Sequence, residues 1–324
     1  MRPIALVLVA FSLFAARAAR ADAAADVRDI RAGQLPTRHE WIGWDAAGHA
    51  HMRTLRCSTG GTDFCRAALV DLAPDGTAHE TPLLDVVEVY CGALGPCAAL
   101  DRKTTLAFEA AESRGLAAMP ATIPTPAAAD PETVLGTIAG DPTRVQIDIV
   151  DRSTPADAPN FALRLVARGK DGATETLGML DTRIATGDGK VVAAYVSPDG
   201  VTAAFVVTTS TTMMCWDFQN VRAMAVNLPR RRASLANTIG FRAWKRGDMS
   251  AALAAFSEGT RHDPGFALAW YNRAAVESRI GAVTDASASF RRAVALEPKL
   301  STRACRDGDF ASLRGAEPGL MTCP

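Results

Sequence analysis

Near the carboxyl end of this chain a pattern returns after 34 positions: Gly247, Ala252, Phe256 and Pro264 come back as Gly281, Ala286, Phe290 and Pro298. A fixed period of this length calls for a structural unit that stacks on a copy of itself, because one helix pair cannot bury its apolar side alone. The residue types suit that task. Gly247 and Gly281 fall where a first helix ends and a residue with positive φ is needed. Ala252 and Ala286, with Gly259 and Ala293, are small enough for paired helices to approach closely. Phe256 and Phe290 fill the space between neighbouring pairs, and burial of each ring contributes about 1.5–3 kcal/mol. Pro264 and Pro298 stop the second helix and open the next turn.

This register resembles the tetratricopeptide repeat. With the prolines at the thirty-second position, one unit runs Ala233 to Phe266 and a second Ala267 to Leu300. Trp270 takes the large aromatic position of the second unit and Gly240 the small position of the first. Ala236 in place of an aromatic and Arg273 in place of a leucine depart from the pattern. Ser301 to Pro324 reads as a terminal half-unit, which a Cys305–Cys323 bridge would fold over the last helix. The resemblance implies a groove that binds a protein or peptide segment and is lined by Asn237, Phe241, Trp244, Lys245, Tyr271, Asn272 and Arg279. Arg306 would offer a cation to a carboxylate; Thr302 stands where a companion lysine would be.

The front of the chain has a different texture. Trp41 to Trp44, the turn at Asp45 to Gly48, and the run His49 to Cys57 read as strand–turn–strand. Further strands are expected at Ala67 to Leu72, Leu83 to Tyr90, Val145 to Val150, Phe161 to Ala167, Thr174 to Leu180, Val191 to Val196, Thr202 to Thr208 and Arg222 to Leu228. The turns between several of them carry Pro-Asp-Gly or Gly-Asp-Gly, where glycine accepts φ > 0 and proline presets φ. Around residues 98–117 the apolar period shifts towards 3.6, predicting a helix. The Pro- and Ala-rich stretch 119–132 reads as a linker, and Pro229 to Arg232 as a hinge whose arginines are solvated. The run Val196 to Val207 resembles a strand–turn–strand unit of secreted bacterial β-proteins.

Residues 1–21 read as a secretory signal: Arg2, an apolar run from Ile4 to Ala16, and Ala19-Arg20-Ala21 before a cleavage site. Removal of that segment leaves 32 basic against 35 acidic residues, which gives no broad footprint for nucleic acid or anionic lipid. An exported chain favours disulfides. The cysteines fall into close pairs, Cys57 with Cys65, Cys91 with Cys97 and Cys305 with Cys323, and Cys215 is left over, read first as a buried thiol and second as an intermolecular bridge. Neither short pair has zinc-knuckle spacing. His49 and His51 share one side of a strand at a spacing that can chelate a metal, yet no third ligand stands nearby, so they are weak metal candidates. No hydrolase elbow, zincin, phosphate-loop or dinucleotide motif is present.

These observations predict an α+β protein: a signal (1–21), a lead-in (22–35), a β-rich part with one helix (36–118), a linker (119–132), an antiparallel β part (133–228) and an all-α repeat region (229–324). The expected role is a periplasmic or secreted, non-catalytic adaptor that needs no cofactor and binds a protein partner in the cell envelope. The alternative is a metal- or ligand-binding β-domain buttressed by the repeats; an enzyme acting on envelope polymers stands third.

Overall fold

The computed structural model describes residues 23–31, 37–58, 64–87, 101–123, 128–151, 161–169, 172–181, 188–213, 216–321 and 323. The expected Cys91–Cys97 bridge, Cys215 and the signal segment lie outside them. An antiparallel sheet region precedes a helical region, an α+β arrangement. The chain divides into two compact units that are discontinuous in sequence. Unit 1 comprises Met1–Ala128, Ile149–Leu163 and Asp181–Val226; unit 2 comprises Ala129–Asp148, Arg164–Leu180 and Asn227–Pro324. The stretch 133–228, read as one block, is shared between them.

In unit 1, helix α1 (Ala23–Arg31) is followed by β1 (Arg38–Asp45), β2 (Ala50–Ser58), β3 (Phe64–Leu72), β4 (Ala78–Val87), α2 (Arg102–Ala118) and the short β5 (Thr122–Ile123). The five strands form one sheet in the order β4-β3-β2-β1-β5. Its β1 to β4 part is an antiparallel meander with Cys57 directly opposite Cys65, and those two cysteines are disulfide-bonded. Both faces of the sheet are covered. Leu55, Ala67, Leu69 and Leu83 meet Val27 and Ile30 of α1 and Phe108 of α2. On the other face Met52 and Val70 meet Ala193, Val206 and Val221, which belong to β11 (Asp188–Val196), β12 (Thr202–Met213) and β13 (Trp216–Asn227), a second sheet in that order. Double coverage leaves β2 no solvent-facing side: residues 50–55 and 57 are all buried, His51, Arg53 and Thr54 among them. The 119–132 stretch is more than a linker, because Thr122 and Ile123 pair with Asp45 and Trp44. Ile123 precedes Pro124, which biases it to the extended conformation an edge strand requires.

The intervening chain forms β6 (Thr137–Ile138), β7 (Asp141–Pro142), β8 (Arg144–Asp151), β9 (Phe161–Arg168) and β10 (Thr174–Asp181), the last three making a sheet in the order β10-β9-β8. The helical region follows as α3 (Leu228–Lys245), α4 (Met249–His262), α5 (Ala267–Arg279), α6 (Val283–Leu296), α7 (Lys299–Ala304), a 3-10 turn (Gly308–Phe310) and α8 (Ala311–Ala316).

The expected hinge at 229–232 is the first turn of α3. Asn227 caps that helix by accepting from the Arg230 N–H at 2.9 Å, and Pro229 sits where its missing N–H costs nothing. The three arginines have partners rather than solvent alone: Arg230 with Asp263, Arg231 with Glu175, and Arg232 with the carbonyls of Val134 and Leu135.

The 34-residue period is also a period of backbone hydrogen bonding. Asp248 donates to Ala243 and Ala282 to Glu277; Gly247 donates to Trp244 and Gly281 to Ser278; Asp263 donates to Gly259 and Glu297 to Ala293. Gly247 and Gly281 have φ of +82° and +83°. The two helix pairs thus close with the same turn. Ala252 and Phe256 are buried with Ala243 and Val276, while Ala286, Phe290 and Ala293 are buried with Tyr271, Phe310 and Leu313. The far end is covered by α8 and the Cys305–Cys323 disulfide, and the near end by the 134–139 segment, where Ala139 N–H donates to Glu258 at 2.6 Å.

Candidate functional site

Helices α3 and α5 carry most of the side chains that the repeat frame assigns to a groove, and Arg306 follows in the turn after α7. On α3 the rings of Phe241 and Trp244 stack with centroids 5.5 Å apart, and Lys245 Nζ lies 4.8 Å from the Phe241 ring centre. Phe241 is 43% exposed, high for so large an apolar ring. Arg279 of α5 brings its guanidinium 6.0 Å from the Trp244 ring and pairs with Asp309 at 3.0 Å. Asn272 of α5 donates to Asn237 of α3 at 2.8 Å, so the two amides hold one another across the helix pair.

Tyr271 has another place. Its side chain is buried, its ring centre is 4.9 Å from that of Phe310, and its hydroxyl donates to Asp307 at 2.9 Å. Burial first, then that carboxylate, pushes its pKa well above the ordinary phenol value. Tyr271 is therefore core, supporting the face without offering a ring to a ligand. The reason is local: the 3-10 turn carries Phe310 onto it, which the repeat frame alone does not reveal.

Arg306 and Thr302 share one open depression, and Lys299 and Arg303 line it with them. Arg303 also lies over the Tyr271 ring at 4.9 Å, which connects the depression to α5. Sequence reading singled out Arg306 and missed Lys299 and Arg303. The signal was there: Lys299, Arg303 and Arg306 follow the i, i+4, i+7 spacing of one helix face. A second overlooked signal is the partition of charge. Residues 227–324 hold fifteen Lys or Arg against nine Asp or Glu, although the whole chain is balanced at 35 of each.

The weak metal candidates are engaged elsewhere. His49 Nδ1 is 2.7 Å from Asp71 and His51 Nε2 is 3.1 Å from Asp45, with the two rings 6.4 Å apart. Among the described residues no group of three or more histidine, cysteine or acidic side chains is placed to hold a metal ion. Asp45 also accepts from the Ala47 and His49 N–H groups at 2.8 and 2.9 Å. Burial raises its pKa, but these hydrogen bonds outweigh burial and hold it below the usual carboxylate value. The arrangement organises the β1–β2 turn.

No family model, curated protein or solved structure matches this chain.

Proposed function

We propose that this chain is an exported, non-catalytic adaptor whose helical region is a short tetratricopeptide array that grips an acidic polypeptide segment along α3, α5 and α7. The observation that carries the reading is the linked series Phe241, Trp244, Lys245 and Arg279, continued by the basic depression at Lys299, Arg303 and Arg306. An exposed aromatic pair flanked by cations suits a partner that combines apolar and acidic side chains. Covered ends of the helical stack support it too, since a solenoid that ends in polar or shielded elements keeps its lateral face for ligands. Export is supported by two disulfides, Cys57–Cys65 and Cys305–Cys323. Among the described residues no helix is long and apolar enough to cross a membrane.

The test uses two peptide pools of equal length, one rich in Asp, Glu and Leu and one with Lys in place of the acids, read by fluorescence anisotropy. The acidic pool is expected to bind, with affinity falling as salt rises. A Trp244→Ala/Arg279→Glu double variant should lose about tenfold or more, the size expected for removing an aromatic anchor and reversing a rim charge. Equal binding by the variant and the parent would remove this face from the account.

A further inference from the structure

The near end of the helical stack is closed by a hairpin too small to hold itself. Strands β6 and β7 are two residues each, far shorter than an isolated hairpin needs. The turn between them places Ala139 at φ +52° and Gly140 at φ +80°. Two positive φ values in a two-residue loop suit the twist of a hairpin, but the left-handed region is disfavoured for alanine. So short a ladder around a strained residue persists only when the surroundings impose it.

Two charged side chains impose it. Glu258 of α4 accepts the Ala139 N–H at 2.6 Å, and Arg232 of α3 donates to the carbonyls of Leu135 and Val134 at 3.0 Å each. Beneath them Leu135 and Ile138 are buried. His262 of α4 bears on both holds. Its side chain is 15% exposed, and its Nε2 lies 3.2 Å from the second oxygen of Glu258, which also stands 3.6 Å from Arg261. Burial, helped by repulsion from Arg261 and Arg232, outweighs the Glu258 hydrogen bond and keeps the imidazole pKa below its ordinary 6.5. The other charges nearby are engaged. Asp263 pairs with Arg230, Arg231 with Glu175, and on α5 Arg273 pairs with Glu277 and Arg279 with Asp309. The segment 134–139 carries no charged side chain. Among the described residues, Glu258 is therefore the carboxylate left to offset Arg232, Arg261 and a protonated His262.

We infer that Glu258, His262 and Arg232 form an acid-sensitive latch: with His262 neutral the 134–142 hairpin is docked on α3 and α4, and protonation of His262 releases it. A cation at His262 draws on the charge of Glu258 and repels Arg232, so both holds weaken together. Docking is full above the ordinary imidazole value of 6.5 and weakens as pH falls from there towards the lower value of the docked state. The latch concerns the end of the stack and does not depend on a ligand along α3, α5 and α7.

The experiment follows amide exchange of the full chain by mass spectrometry from about pH 7.5 to about pH 5.5, each rate corrected for the intrinsic chemical rate. Protection across 134–142 is expected to fall about threefold or more at the acid end, while α6 keeps its protection. His262→Gln, which can still donate to Glu258 but carries no charge, should keep the segment protected throughout the range. Arg261→Gln, at a position whose side chain is 69% exposed, should reduce the acid loss because one repelling cation is gone; it carries the test if His262→Gln folds poorly. Glu258→Ala should lose protection at both ends of the range. Unchanged protection in the parent, an acid loss in His262→Gln or Arg261→Gln equal to the parent's, or a loss spread equally over α6 would overturn the latch.

Discussion

Arg53 shows how one residue decides the packing of unit 1. It sits on β2 with its side chain 1% exposed, in a layer otherwise made of Leu55, Cys57 and Phe108. Its guanidinium bonds Asp26 of α1, lies 2.6 Å from Glu112 of α2, and faces the Phe108 ring at 5.5 Å. Arg38 bonds the same Asp26. A buried charge on a strand with partners from two helices fixes where both helices sit, and loss of one partner leaves the others stranded. Arg53→Met should therefore destabilise by about 3–5 kcal/mol, measurable by urea denaturation or as faster amide exchange in β2 and α1. A cost below 1 kcal/mol would show that the network is dispensable. Asp45 gives a pH signature. Its pKa is depressed in the fold from an ordinary 3.8, so its stabilisation is full above that value and is lost as pH falls through the lower, folded one. Asp45→Asn should be less stable at neutral pH, and its stability should decline less between about pH 4 and pH 2 than that of the parent.

At the scale of elements, the α3–α4 pair depends on close approach. A Cβ at Gly240 would stand 2.7 Å from the Phe256 ring, which is itself 1% exposed. Gly240→Ala should cost about 1–3 kcal/mol through overpacking, despite alanine's better helix propensity. At Gly247 the same substitution meets no neighbour within 4 Å but must hold φ at +82°, a backbone cost of about 1–2 kcal/mol. The two glycines thus do different work. The prediction is that Gly240→Ala combined with Phe256→Leu recovers part of the loss, whereas no neighbouring change rescues Gly247→Ala; thermal melts of the single and double variants decide it.

At the scale of the molecule, the tail and the charge partition stand out. Cys305 and Cys323 close a loop of 18 residues, which stabilises the helical region by about 3 kcal/mol in the chain-entropy view. Replacing both by serine should lower the midpoint of that region and speed exchange in α7 and α8, leaving β2 and β3 unchanged. Met321 and Leu313 belong to the same buried cluster as Phe290, so the disulfide tethers a packed tail. The excess of basic residues in 227–324 makes the helical region electropositive in a chain of zero net formal charge, which whole-chain arithmetic hides.

The sequence alone determined the elements whose causes are local. A 34-residue recurrence of glycine, alanine, phenylalanine and proline dictated two helix pairs and their shared turn, because positive φ, close approach and helix stops each demand a residue type. Turn chemistry likewise located most strands, and the Cys57–Cys65 and Cys305–Cys323 bridges followed from spacing. What the tertiary structure alone decided depends on contacts between residues distant in sequence. Tyr271 looked like a ligand-facing ring and became core because Phe310, 39 positions later, lies over it. Arg53 gave no sign in sequence of its carboxylates on α1 and α2. Local rules fix what each segment becomes; burial and long-range electrostatics fix which of its side chains remain available to act.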